Sequence, residues 1–452
     1  MRSQRIALTF DGKKIFAEEG DCITSALYRN GNLTLSRSMK FHRPRGLYCG
    51  TGDCSNCLVN VDGIPNVRAC ITSVRKGMVV RSQNRVLSRN FDPVALMDHI
   101  FRKGFSYHHK FIRPGFMRGL YQKIIRRMAG LGDLPSGDVK AEPTERRRTD
   151  VLIIGSELSA LAAAAICAES GLRTVIVRQK TLSSVITAQS VQTFDHRLGS
   201  NPEIQAIIDR AEKAISRSPK VVDLQNALSF GAFDGGIIGA ASPSQMHIIE
   251  PKYVILAEGW REQPIRFFNW DLPGILQESA AMRLMHSFGI PPGRRLVVTG
   301  VPERAMLLAD YIRKQDIEMA AIVIEGADQE AYEAWMHDLL RIGWRITTAR
   351  GGNAVRGAVI VNGGKKERIT CDCIITCGSL EPRVELARQL GCLMSYEDDS
   401  SPRIVVDERC ETSRRGIFAI GSSAGISDPL KAVHSGEVVG RIIVGRHRGV
   451  GE

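Results

Sequence analysis

The chain has 452 residues and 11 cysteines, and its 61 Lys and Arg against 48 Asp and Glu give a net charge of +13. That length predicts two or three domains with ample apolar core, and no apolar run reaches the roughly 18 residues that a membrane-spanning helix needs. The positive excess is spread out and lacks an aromatic-interleaved basic motif, which argues against nucleic acid and for a basic docking surface facing an acidic partner subunit or a membrane face.

Met1 to Arg5 leads into a strand and carries no export signal. A reducing cytosol is therefore expected, with the odd number of cysteines as thiols or metal ligands. Arg5 to Phe10 alternates like a strand, Asp11-Gly12 turns it, Lys14 to Ala17 returns, and Cys22 to Gly31 reads as a helix opened by Gly20-Asp21. Cys22 at that helix start is expected to pack.

Cys49, Cys54 and Cys57 follow with C-x4-C-x2-C spacing, the spacing of plant-type [2Fe–2S] loops. An apolar run, an Asp62-Gly63 turn and a returning segment lead to Cys70. A hairpin centred on that turn places Cys57 and Cys70 opposite each other at its open end. The alternatives are a structural zinc site, which usually takes two short Cys pairs where only Cys54 and Cys57 are so spaced, and unpaired thiols. Residues 1–100 thus read as a [2Fe–2S] ferredoxin-like domain of β-grasp type, α+β in class.

Residues 101–148 read as a basic connector. Phe116, Leu120, Ile124, Ile125 and Met128 fall at helical spacing among Arg118, Lys123, Arg126 and Arg127. Such a helix lies on a membrane surface or packs on this protein or a partner, and packing is the commoner fate of an amphipathic face. His108-His109 reads as solvated.

From Asp150 the pattern turns to α/β. Val151 to Ile154, the turn Gly155 to Ala160, the Ala-rich helix from Leu161 and the strand Thr174 to Val177 outline a βαβ dinucleotide unit. A second runs from Leu296 through the turn Gly300 to Ala305 to the strand Ala320 to Ile324. The predicted division is a first, FAD-type Rossmann domain over 149–292 and 400–452, and a second, NAD-type one over 293–399. The whole is an α/β two-dinucleotide-binding-domain, glutathione-reductase-like flavoprotein fold.

The candidate nucleotide-binding residues are Gly155, Ala160, Gly300, Ala305, Glu325, Gly421 and Ser422. Three places depart from an intact flavin site. Glu157 stands where a glycine should admit the pyrophosphate, Arg178 where an acid should accept from the ribose, and Ser422 where the closing motif usually has Asp. The expectation is FAD bound weakly, unusually or not at all. Pro302 interrupts the second turn, but Glu325 ends its second strand where a ribose-binding acid belongs, so NAD or another adenine nucleotide is the expected ligand there. Cys371, Cys373 and Cys377 are read as one face of an apolar strand from Ile369 to Thr376. No nucleophile–base constellation stands out, and no catalytic residue is assigned.

The segments Ser36 to Gly46, Cys49 to Cys57 and Asp62 to Cys70 resemble the N-terminal domain of the sarcosine oxidase alpha-subunit family. Alpha subunits of opine oxidases, hydrogen cyanide synthase and dye-linked proline or hydroxyproline dehydrogenases belong to it. Phe111 to Pro114 and Ile125 to Gly132 in the connector, with Asn269 to Gly274 and Ile417 to Gly421, extend the likeness over nearly the whole chain. The resemblance implies an electron-transfer subunit of a heteromeric flavin-dependent dehydrogenase or oxidase. An FAD-containing beta subunit, with further small subunits in some complexes, would oxidise a C–N bond of an amino acid or opine. The chain ends at Glu452 without the folate-binding half of sarcosine oxidase alpha and without an extra Cys-rich segment. Two other readings stay open: a non-catalytic scaffold, and a self-contained NAD(P)H-dependent flavoprotein reductase. Arg43 and Arg45 are expected to offset the cluster charge, dock the partner or lie solvated.

Overall fold

The computed structural model describes residues 5–39, 41–85, 88–95, 135, 143–178, 202–242, 244–326, 334–397 and 401–449. The expected connector helix and His108-His109 lie outside them. The chain divides into two compact units, Met1–Val139 with Pro264–Ser379, and Lys140–Gln263 with Leu380–Glu452.

The first unit opens with a five-stranded sheet in the order Lys13–Glu18, Arg5–Phe10, Val79–Ser82, Leu58–Val61, Ile64–Arg68. Arg5–Phe10 and Val79–Ser82 are parallel neighbours at its centre, flanked by antiparallel hairpins, which is the β-grasp arrangement. The helix Ile23–Arg29 is buried over most of its length, and Cys22 caps it, its sulfur accepting from the Ser25 N–H at 3.5 Å. The same unit contains a parallel sheet in the order Ile275–Gln277, Cys373–Cys377, Arg295–Gly300, Glu318–Ile324, Leu340–Ile342. A three-stranded antiparallel sheet, Arg345–Gly351, Val355–Asn362 and Lys365–Ile369, completes it. Tyr48 and Cys49 share one hydrophobic core with Leu272, Val297, Val323, Ile360 and Ile374. The ferredoxin-like part and the second nucleotide fold are therefore packed as one body.

One expectation is corrected here. Lys365–Ile369 and Cys373–Cys377 are separate strands, so Cys371 lies between them and only Cys373 and Cys377 share a strand. Asp372 sits at the break, its carboxylate accepting from the Arg294 and Arg295 N–H groups, which the reading of Ile369 to Thr376 as one apolar strand passed over.

The second unit is built on a seven-stranded sheet whose long strands Thr144–Gly155 and Gln245–Ala257 run parallel, with Ile417–Ala419 beside the latter. The helix Leu158–Glu169 is apolar all round and buried from Leu158 through Ala168. It can be so because it packs against the sheet and against two helices, Pro202–Arg217 and Pro429–His447. Gly436 permits the close crossing: a Cβ there would lie 2.1 Å from the Ser159 carbonyl oxygen.

Candidate metal centre and nucleotide folds

The cysteine loop is fixed from below before any ligand is considered. The Gln277 N–H donates to the Tyr48 carbonyl at 2.8 Å and the Ser279 hydroxyl to the Cys49 carbonyl at 2.8 Å. Gly50 then turns with φ +72°, and a Cβ on it would lie 2.8 Å from Ala280 Cα. Glycine is required there on both counts. The loop can thus lie directly on the short helix Glu278–Met282.

The other arm is the hairpin Leu58–Val61 with Ile64–Arg68, turned by Asp62 and Gly63, both at positive φ, as a two-residue hairpin turn demands. Asp62 anchors the turn, accepting from the Val79 N–H at 2.8 Å and pairing with Arg75. At the open end the Ala69 N–H donates to the Cys57 carbonyl at 3.1 Å, which brings Cys70 beside Cys57.

Cys49, Cys57 and Cys70 are at most 2% exposed, and Cys54 is half-buried. The four thiols are close enough to shift one another: Cys49, beside Cys54 and Cys70, and Cys57, beside Cys70, are held below the ordinary thiol range, and Cys54 and Cys70 are pushed above it, helped by burial. Backbone N–H groups also point at sulfur: Cys54 at Cys49 at 3.4 Å, with Thr51 at Cys49, Asn56 at Cys54 and Cys70 at Cys57. Among the described residues no group of three or more His, Cys, Asp or Glu has the geometry around a single metal ion. The thiols fall instead into the pairs Cys49–Cys54 and Cys57–Cys70, joined by Cys49–Cys70. Four soft donors, sulfur-directed N–H groups and two pairs fit a [2Fe–2S] cluster.

Arg43 and Arg45 are committed elsewhere. Both pair with Asp271, and Arg43 Nη2 also donates to Asn269 Oδ1 at 3.1 Å. Their side chains are ion-paired and still partly exposed.

In the second unit, Gly155 (φ +134°) ends its strand where a Cβ would lie 1.7 Å from the Ala257 carbonyl oxygen. Ala160 is buried in the helix that follows. The place between that helix and Gly421-Ser422, where the fold would seat a pyrophosphate, holds the Glu157 side chain. Glu157 is 9% exposed, and its Oε2 accepts the Ser422 N–H at 3.1 Å. Its carboxylate is wedged between glycines, since a Cβ on Gly259 would meet Oε1 at 2.9 Å and one on Gly421 would meet Oε2 at 2.8 Å. Burial raises the Glu157 carboxyl to about 7 despite the hydrogen bond from Ser422. Glu258 is raised to about 7 as well, chiefly by burial. Arg178, 4% exposed, makes a bidentate pair with Asp223 at 2.8 and 2.5 Å. A buried carboxyl group already takes the phosphate-binding N–H, and a salt bridge fills the ribose end. These residues do not fit FAD.

The second nucleotide fold differs. Gly300 (φ +136°) passes 2.0 Å, measured from an added Cβ, from the Cys377 carbonyl oxygen, and Ala305 is fully buried. Glu325 is exposed at the carboxyl end of Glu318–Ile324. Between them Arg304 reaches in from the helix Pro302–Arg313 to pair with the wholly buried Glu278 at 2.5 Å and to donate to the Gly378 carbonyl at 2.7 Å. The sequence carried no sign of this pair, because its partners are 26 residues apart on different elements.

A family model described as a 2Fe-2S iron-sulfur cluster binding domain matches residues 3–85, and one described as pyridine nucleotide-disulphide oxidoreductase matches residues 149–437. Sarcosine oxidase subunit alpha of Rhizobium meliloti (strain 1021) is 28% identical over 420 residues, 86% of this chain and 41% of that protein. Hydrogen cyanide synthase subunit HcnA of Pseudomonas aeruginosa is 34% identical over 79 residues, 18% of this chain and 75% of that one. The crystal structure of L-proline dehydrogenase from P. horikoshii superposes with TM-score 0.71 at 18% identity, covering 100% of this chain and 75% of that chain, a likeness of fold. The chain spans 41–43% of the sarcosine oxidase alpha subunits it matches. The expected resemblance and fold class therefore hold. No helix of the described residues is long and apolar enough to cross a membrane.

Proposed function

We infer, for a chain that belongs to the pyridine nucleotide-disulphide oxidoreductase family and opens with a 2Fe-2S cluster binding domain, the role of an iron–sulfur electron-transfer subunit in a heteromeric dehydrogenase or oxidase. The observation that carries it is the convergence of Cys49, Cys54, Cys57 and Cys70 on supported backbone, against a first nucleotide fold plugged by Glu157. These four cysteines are the proposed ligands. A [2Fe–2S] cluster bound there supplies one-electron transfer. The chain's own residues bury three of the thiols, aim backbone N–H groups at their sulfurs and leave Cys54 nearest the surface.

Substrate oxidation is assigned to a partner subunit with its own FAD, acting on a C–N bond of an amino acid or opine. That choice draws on the names of the sarcosine oxidase and opine oxidase relatives. An adenine nucleotide is assigned to the second nucleotide fold, a reading supported by Gly300, Ala305 and Glu325 although Pro302 stands at the centre of the turn. A cytoplasmic location agrees with ligation by reduced thiols. The scaffold reading is favoured by one observation, the Glu157 plug, and cofactor content separates the two. The complex, purified anaerobically, should carry two irons and two sulfides per copy of this chain, with flavin on the partner alone, and a substrate amine or opine should bleach the cluster spectrum. Stoichiometric FAD on this chain would overturn the plugged-site reading. A cluster that substrate never bleaches would favour the scaffold.

A further inference from the structure

A cation from outside the ferredoxin-like sequence stands at the cysteine site. Arg283 begins a single π turn, Arg283–Ser287, that continues the helix Glu278–Met282 beneath the loop. Such single turns are rare and are found frequently at functional sites. From there its Nη1 donates to two carbonyls at once, Gly50 at 2.5 Å and Cys70 at 2.9 Å. Gly50 follows the first cysteine of the loop and Cys70 is the last of the four, so one nitrogen ties the two ligand-bearing arms together. Its guanidinium rests 5.5 Å from the Phe288 ring centroid, and the Phe288 carbonyl accepts from Arg29 at 3.0 Å. Arg29 is itself paired with Asp21, which leaves that carboxylate engaged away from Arg283. A fixed positive charge beside thiolates stabilises the more negative state of whatever they bind, and in a half-buried place water screens it little.

We propose that Arg283, contributed by the second nucleotide fold, is the positioning residue of the cysteine site: it clamps the loop to Cys70 and raises the reduction potential of the group held there. This rests on the [2Fe–2S] reading above. The two carbonyl contacts account for the clamp, and the charge accounts for the potential. Arg283→Lys retains the charge and donors able to serve the same carbonyls, whereas Arg283→Gln keeps polarity without charge.

The test uses the full chain in its complex and two readouts, the rate of iron loss to a chelator and the potential from an EPR-monitored titration. Arg283→Gln should lose iron at least tenfold faster. At a fixed poise its reduced-to-oxidised ratio should fall about tenfold, equivalent to about 59 mV for one electron. Arg283→Lys should restore both. A Gln variant with the unmutated loss rate and potential overturns the proposal, and so does a Lys variant as impaired as Gln, since the charge would then be irrelevant. If the Gln variant holds no iron, a Lys variant that holds it at the unmutated potential supports the clamp, and a Lys variant equally empty refutes it. An unmutated chain without iron and sulfide refutes the cluster reading itself, which sets the two failures apart.

Discussion

Replacing Glu157 by Gln probes the plugged nucleotide site most directly. The carboxyl titrates at about 7 in the folded chain, against 4.5 when solvated. Between those values the folded form holds a proton that the unfolded form has released, so stability falls as pH rises through the window. The contribution is complete below the unfolded value and is lost as pH passes the folded one. Integrated, the cost of the ionisable group is about 1 kcal/mol at pH 5 and about 3 kcal/mol at pH 8, as an order of magnitude. Gln keeps an acceptor for the Ser422 N–H and removes the titration. Because Glu157 Oε1 has no hydrogen-bond partner, the amide put in its place carries its own cost, so the decisive quantity is the change with pH. Calorimetric melting of both proteins at pH 5 and pH 8 should show the variant gaining roughly 2 kcal/mol relative to wild type between the two. Glu258, raised in the same way, leaves a residual pH slope in both proteins and cancels in the comparison. An unchanged difference across that range would mean that Glu157 ionises freely, as a solvated carboxylate does, and that the plug is wrong.

Other outcomes are equally concrete. Cys54→Ser should abolish the visible iron–sulfur spectrum, whereas Cys22→Ala, at a helix cap, should leave it intact; the reverse would reassign the ligands. Arg304→Met strands Glu278, a wholly buried carboxylate, and should cost about 3–5 kcal/mol by denaturation, with Glu278→Gln in the same protein recovering part of it. Gly436→Ala drives a methyl into the Ser159 carbonyl and should lower stability by about 1–3 kcal/mol, visible as a lower melting temperature.

Local chemistry was legible in the sequence. The cysteine spacing, the Asp62-Gly63 turn and the Gly155 and Gly300 turns each specify geometry within a few residues, and the structure shows the hairpin and the positive-φ turns where they were expected. Glu157 and Arg178 were legible as misfits for flavin, because a carboxylate at a phosphate site and a cation at a ribose site contradict simple electrostatics. Their actual partners were not. Asp223 lies 45 residues from Arg178 and Ser422 lies 265 from Glu157, and nothing in local periodicity encodes such pairs. The Asp271 partner of Arg43 and Arg45 was hidden for the same reason, since it is 226 residues from Arg45. Ser279 and Arg283, the supports of the cysteine loop, sat inside a segment read only as ordinary nucleotide fold.

The contact between Ser279 and Cys49 spans 230 residues, and this sets an order of events during synthesis. At about 5–20 residues per second, the ribosome releases the cysteine loop roughly 10–50 s before the segment on which it rests. For that interval the hairpin and the Asp62 turn can form, but the floor beneath Cys49 and Gly50 does not exist. A nascent chain stalled before residue 277 should therefore hold the cysteine loop without that support, and its thiols should react faster with an alkylating probe than those of the finished chain.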